Sequence, residues 1–286
     1  MFEILRAFKC PSSAQINSCE IMTSNLYTAA HTCLAESDPE RKCTRTQEAW
    51  SLLVAGQLVI EPAAHGVSLD APGRPLQPEL VSPRDLPRRR LHNVEGRAAL
   101  LHALAHIEFN AINLAWDAVC RFADMPEDYY RDWAKVAHEE AYHFGLLHDR
   151  LRSLGYDYGD FPAHNGLWSM ALQTREDVLV RMALVPRVLE ARGLDVTPGM
   201  MERLREAGDA DSVAILDIIL RDEIGHVAIG TRWFHYACAQ RGLEPDATFR
   251  DLVREHVAKR IKGPFYKEAR LQAGFSTQEL EDLESL

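Results

Sequence analysis

One arrangement constrains this chain more than any other. Glu-x-x-His occurs as Glu140 to His143 and again as Glu223 to His226, and each copy follows another glutamate set among apolar residues. Glu108 stands 32 residues before Glu140, and Glu190 stands 33 before Glu223. Positions i and i+3 share a helix face, so each Glu-x-x-His brings a carboxylate and an imidazole to one point. The same-face neighbours of Glu108 include Leu101, Leu104, Ile112 and Ala115; those of Glu140 include Trp133, Val136, Phe144 and Leu147; those of Glu223 include Leu216, Ile219, Leu220 and Val227. An unpaired carboxylate on such a face costs several kcal/mol, so these positions need a compensating charge. Glu190 has a more mixed face, with Pro186 and Arg187, and joins the set through the symmetry of the repeat.

Four helical-period segments carry these residues: Arg97 to Phe122, Tyr129 to Leu154, Glu176 to Arg192 and Asp211 to Arg241. Gly155, Gly193 and Gly242 stand where each of the last three should end. No segment alternates with period two, so the expected fold class is all-α, a four-helix bundle over 95–241. The stretch YDYGDFPAHNGLW between the second and third segments is long enough for a crossover. Ahead of the bundle, 24–94 reads as two short helices, Asn25 to Glu36 and Asp38 to Leu58, and a strap from Pro62 to Pro87 that should lie over the bundle. Its prolines and glycines exclude a helix or central strand. Residues 1–23 read as an irregular extension, and 242–286 as short helices packed on the outside.

Four carboxylates and two imidazoles suit two divalent ions, iron first and manganese second, because the donors are hard to borderline and the charges balance. Zinc favours cysteine or a histidine-rich set. The expected ligands are Glu108, Glu140, His143, Glu190, Glu223 and His226. Asp222 and Glu139, each four residues before a ligand histidine, are candidates to accept hydrogen bonds from the imidazoles across the helix pair, with a solvated or salt-bridged acid as the alternative for Asp222 and the first reading for Glu139. His102 and His106, an i, i+4 pair, lie off the Glu108 face and are expected to pack against the strap, with metal ligation as the alternative. Arg187, one turn from Glu190, is expected to neutralise that carboxylate, with an anionic substrate as the alternative.

A net charge of -10 argues against general nucleic-acid binding, which draws on lysine and arginine. The basic stretch Arg84 to His92 reads as a solvated connector. The six cysteines show no C-x-x-C spacing and read as reduced thiols. With no apolar run long enough to span a bilayer and a poor secretion signal at the start, the expected location is cytoplasmic, with no membrane partner.

At these residues the sequence resembles a family of uncharacterised ferritin-like proteins, domain of unknown function 455. The resemblance rests on PGRPLQPELVSPRDLPRRRL, GRAALLHALAHIEFNAINLAWD, HEEAYHFGLL, LEARGLD and RDEIGHVAIG. It implies a ferritin-like bundle with a dinuclear metal site and supplies no reaction. A more distant similarity to a diiron hydroxylase that modifies tRNA is offset by the strap and the acidic charge. The leading expectation is therefore an oxygen-activating diiron oxidoreductase, with a small-molecule substrate and an electron donor that the sequence does not identify. Iron handling of ferroxidase type ranks second and a metal-free interaction scaffold third; a homodimer is admitted.

Overall fold

The computed structural model describes residues 25–61, 69–86, 90–257 and 262–285. The expected extension over 1–23, part of the strap (62–68 and Pro87) and part of the basic stretch (88–89) lie outside the described residues. Among the described residues every regular element is a helix. Helices α1 (Leu26–Ala35) and α2 (Pro39–Val54) precede the long helices α3 (Val94–Arg121) and α4 (Glu127–Ser153). A crossover carries α5 (Gly166–Gln173). It leads to a third long helix built from α6 (Val178–Leu184), a π-turn (Val185–Glu190) and α7 (Ala191–Glu206). The fourth, α8 (Ala210–Arg241), is followed by α9 (Pro245–His256), α10 (Lys267–Gln272) and α11 (Thr277–Glu284).

The ends of the long helices follow local chemistry. Asn93 accepts from the Gly96 N–H to start α3, and Asp209 accepts from the Ser212 N–H to start α8, each satisfying a donor that the first turn leaves free. Gly242 closes α8 with φ 64°, a left-handed conformation that glycine takes without strain.

Side-chain pairs fix the helix directions. Between α4 and α8, Arg150 meets Asp209, His143 meets Asp222, and Asp132 meets Arg232, so numbers rise on one helix as they fall on the other. Glu108 meets His143, and the Ala118 carbonyl accepts from Tyr129, which makes α3 and α4 antiparallel as well. Asp177 with Arg241 and Arg187 with Thr231 set the third long helix antiparallel to α8. The order is up, down, down, up, with one long crossover.

The strap seals the crossover. Val81 N–H donates to the Ala163 carbonyl at 2.8 Å, and Ala163 N–H donates to Glu79 at 2.9 Å. Contrary to expectation, His102 and His106 bind mainly the crossover. His102 Nε2 accepts from the Gly159 N–H at 3.0 Å, and His106 Nδ1 lies 2.8 Å from the Tyr158 hydroxyl. The strap reaches His106 across a cavity of about 10 Å³ shared with Pro72, Pro75 and Pro78.

The third long helix differs most from the sequence reading. It runs through Gly193 and Pro198 to Glu206 because Leu194, Met201 and Leu204 are all buried, and that packing outweighs two poor helix formers. Pro186 has no N–H to give the Met182 carbonyl and its ring crowds that turn, so the helix widens into the π-turn that ends at Glu190. Opposite it sits Gly230 of α8, where an added Cβ would come within 2.3 Å of Pro186 Cβ. Arg187 does not neutralise Glu190: its guanidinium chelates Glu279 of α11, both contacts at 2.7 Å. The wide turn between the two residues shifts them from the shared face that α-helical spacing would give.

Candidate metal centre

All six expected ligands lie on the four long helices: Glu108 on α3, Glu140 and His143 on α4, Glu190 at the end of the π-turn, Glu223 and His226 on α8. Glu108, Glu140, His143 and Glu223 each offer an atom within 4.8 Å of the others, a buried group able to hold a metal ion. His143 Nδ1 stands 3.4 Å from Glu108 Oε2 and 3.6 Å from Glu140 Oε2. His226 Nδ1 stands 3.0 Å from Glu140 Oε1 and 3.5 Å from Glu223 Oε1. The two imidazoles face each other with centroids 5.7 Å apart, and Glu140 lies between them. Glu190 is not among the four closest donors; its Oε2 is nevertheless sealed from solvent and has no hydrogen-bond partner.

The outer nitrogen of each imidazole is held by an acid on the opposite helix. His143 Nε2 lies 3.2 Å from Asp222 Oδ2, and His226 Nε2 lies 3.0 Å from Glu139 Oε2. An Nε2–H donating outward means that Nδ1, once a cation displaces its proton, would present its lone pair on the carboxylate side, the form a metal ligand needs. Lys135 supports Glu139 at 2.7 Å, and Arg221 supports Asp222 at 3.1 Å.

The electrostatics separate the four carboxylates. Burial, then the charge of Glu140, pushes Glu108 well above the usual carboxylate range. Burial followed by the charges of Glu223 and Glu140 does the same to Glu190, and burial with Glu140 raises Glu223. Burial alone would raise Glu140 too, but the charge of His226 and contacts from both imidazoles outweigh it and hold Glu140 low. Burial opposes charge on His143 as well; the close approach of Glu108 and then Glu140, with their negative charges, overcomes it and brings the ring up to about 11. Glu139 is held down at about 2, because contacts from His226 and Lys135 outweigh its burial. Protons therefore compensate the cluster in the metal-free protein, and a bound cation would displace them.

What remains unpaired defines the centre. Glu108 Oε2, both carboxylate oxygens of Glu140, His143 Nδ1, Glu190 Oε2 and His226 Nδ1 are buried without hydrogen-bond partners. Buried polar atoms in native proteins are almost always satisfied, and so many in one cluster fit a cation that takes their lone pairs. Helical spacing alone does not reveal the π-turn that carries Glu190. Its one signal in the sequence is Pro186, four residues earlier, inside an otherwise regular helical pattern.

Fold and site together define an all-helical protein with a buried carboxylate and imidazole cluster able to bind metal. The chain belongs to the family described as protein of unknown function DUF455, whose model matches residues 35–281. It is also 44% identical over 270 residues to an uncharacterized protein of Haemophilus influenzae, covering 91% of this chain and 94% of that relative. No solved structure matches it. Among the described residues no helix is long and apolar enough to cross a membrane, and Cys33, Cys43, Cys120 and Cys238 are free thiols.

Proposed function

We propose that the chain is a ferritin-like protein with a dinuclear non-haem metal centre, iron first and manganese second, working as an oxygen-activating oxidoreductase on a small organic substrate. Support for ferritin-like architecture comes from the up, down, down, up order with a single long crossover. The observation that carries the metal reading is the group of buried donor atoms left without partners at five of the six expected ligands, all but Glu223. Glu108, Glu140, Glu190 and Glu223 would hold the ions with His143 and His226; Glu140 lies between the two imidazoles. Bound iron would supply the electrons for O2 reduction, which no side chain in the cluster can provide. The protein's own part is to fix the imidazoles through Asp222 and Glu139, to keep the cluster dry, and to release protons from Glu108, Glu190, His143 and His226 on loading.

The test is elemental analysis of protein reconstituted anaerobically with Fe(II), beside Glu140→Ala and Glu223→Ala. About two ions per wild-type chain, lost in both variants, followed by O2 consumption on exposure to air, is the expected result. Wild-type protein that retains no metal, or variants that retain as much as wild type, would overturn it. Tight iron binding with O2 consumption but no oxidised product across a substrate screen would favour ferroxidase chemistry instead.

A further inference from the structure

A cavity of about 120 Å³ lies between the third long helix and the C-terminal segment, and nothing in the metal centre accounts for it. Its walls are largely apolar, from Met170, Val188, Leu189, Val257, Phe265 and Leu283, but its charged lining is mostly basic: Arg187, Arg192, Lys262 and Arg270 against Asp195. The two buried guanidiniums are held rigidly. Arg187 chelates Glu279 and is enclosed by the rings of Phe234, Phe249 and Phe275 at 4.7, 4.1 and 4.5 Å. Arg270 chelates Asp195 at 2.9 and 2.8 Å and stacks on Phe275. Each keeps one buried Nη1 without a hydrogen-bond partner. At the rim, Arg192 Nη1 donates to the Pro264 carbonyl at 3.3 Å and lies 3.6 Å from Asp195, which Arg270 already engages, and Lys262 has no ion pair among the described residues.

We infer that this cavity binds a small organic acid, its carboxylate on the arginine side and an apolar body against Val188, Leu189 and Phe265. Planar guanidinium donors match a carboxylate geometrically; Glu279 and Asp195 balance Arg187 and Arg270, and the remaining rim cations Arg192 and Lys262 leave room for one negative charge. A bare inorganic anion would leave the apolar walls uncovered, whereas a neutral hydrocarbon would leave the cations uncompensated. An engineered apolar cavity of about 150 Å³ holds benzene, so a branched or single-ring monocarboxylate is the right size. Val188, Leu189 and Arg192 flank Glu190 in sequence, which places the occupant against the π-turn. Binding here does not depend on metal at the six ligands.

The test is calorimetric titration of the full chain, metal-free and iron-loaded, with benzoate, isovalerate, benzamide and inorganic phosphate. Arg192→Gln removes a rim charge and Leu189→Trp fills the cavity at a partly buried position; melting curves establish that both variants fold. The expected result is saturable binding of a carboxylate in both forms, with benzamide and phosphate at least tenfold weaker. Arg192→Gln should weaken carboxylate binding about tenfold, the worth of one charge-assisted contact, and Leu189→Trp should abolish it. Absence of carboxylate binding, equal affinity for benzoate and benzamide, phosphate binding as tightly as benzoate, or binding unchanged in both folded variants would each overturn the inference.

Discussion

The Nε2 atom of His226 on α8 lies 3.0 Å from Oε2 of Glu139 on α4, and that carboxylate immediately precedes Glu140, which His226 meets at 3.0 Å through its other nitrogen. One imidazole thus spans two adjacent acids of the facing helix, the first orienting it and the second sharing its site. His143 Nε2 meets Asp222 of α8 in return, while its Nδ1 faces Glu108 and Glu140, so the two helices brace each other's histidines through their outer nitrogens. Replacing Glu139 or Asp222 by alanine should leave the helices intact, since both are partly exposed, while lowering metal affinity by about 10–100-fold. Competition against a chelator of known affinity measures this; unchanged affinity in both variants would remove the acids from the metal site.

Metal should also stabilise the fold. Without it, the pKa values of Glu108 and Glu190 are driven well above the usual range and that of Glu223 is raised, and several buried donor atoms stay unpaired. At a free concentration 100 times the dissociation constant, a ligand of the native state adds about 2.7 kcal/mol, a rise of about 4–5 °C in Tm for a chain of this length. Scanning calorimetry of chelated and Fe(II)-loaded protein should show it, and Glu140→Ala should lose it. A wild-type Tm indifferent to metal would mean that the native state does not bind it.

Much of this architecture is legible in the amino-acid sequence, and for identifiable reasons. The placing of the six candidate residues on the long helices and the crossed contacts to Asp222 and Glu139 follow from helical spacing, which survives wherever a helix stays regular. Glu190 has the weakest sequence signal of the six, and its surroundings are where regularity fails, because Pro186 forces a π-turn that no 3.6-residue template contains. The same irregularity sends Arg187 to Glu279, a partner 92 residues away on a short helix whose docking sequence periodicity does not encode. Gly193 resembles a terminator because propensity is local; the buried face of Leu194, Met201 and Leu204 is a tertiary fact. The conspicuous prolines of the strap point to it as the cover for His102 and His106, whereas the crossover lies between them and most of it.

Two glycine substitutions separate these effects. Gly230→Ala should destabilise the protein by about 1–3 kcal/mol, since the new Cβ would stand 2.3 Å from Pro186 Cβ and the π-turn would have to move. Gly193→Ala meets nothing within 4 Å and sits inside a continuous helix, so it should stabilise by about 0.5–1 kcal/mol. Urea titrations with unchanged m-values give both numbers. A destabilising Gly193→Ala would contradict an uninterrupted α7, and a neutral Gly230→Ala would contradict the close approach of α8 to the third long helix.

Acid stability should depend on Asp209. It accepts from Arg150 at 2.7 Å and from the Ser212 N–H at 3.1 Å, and it lies 3.3 Å from Arg97, joining α3 and α4 to the start of α8. Burial works to raise its pKa, but hydrogen bonds from Arg150 and Ser212 prevail and hold it below the ordinary aspartate value. Below that ordinary value the unfolded chain takes up a proton that the folded chain still refuses, so unfolding gains protons and stability falls as pH falls. The contribution is complete above the unfolded pKa and disappears as pH drops through the folded one. Asp209→Asn keeps the helix cap and removes only the charge, which should cost about 2 kcal/mol at pH 7 given the partly exposed arginines. The gap between variant and wild type should then narrow steadily on acidification below about pH 4, where the wild type loses the same charge. Equilibrium unfolding at a series of pH values tests this, and a gap that stays constant into acid would mean that Asp209 acts through its shape alone.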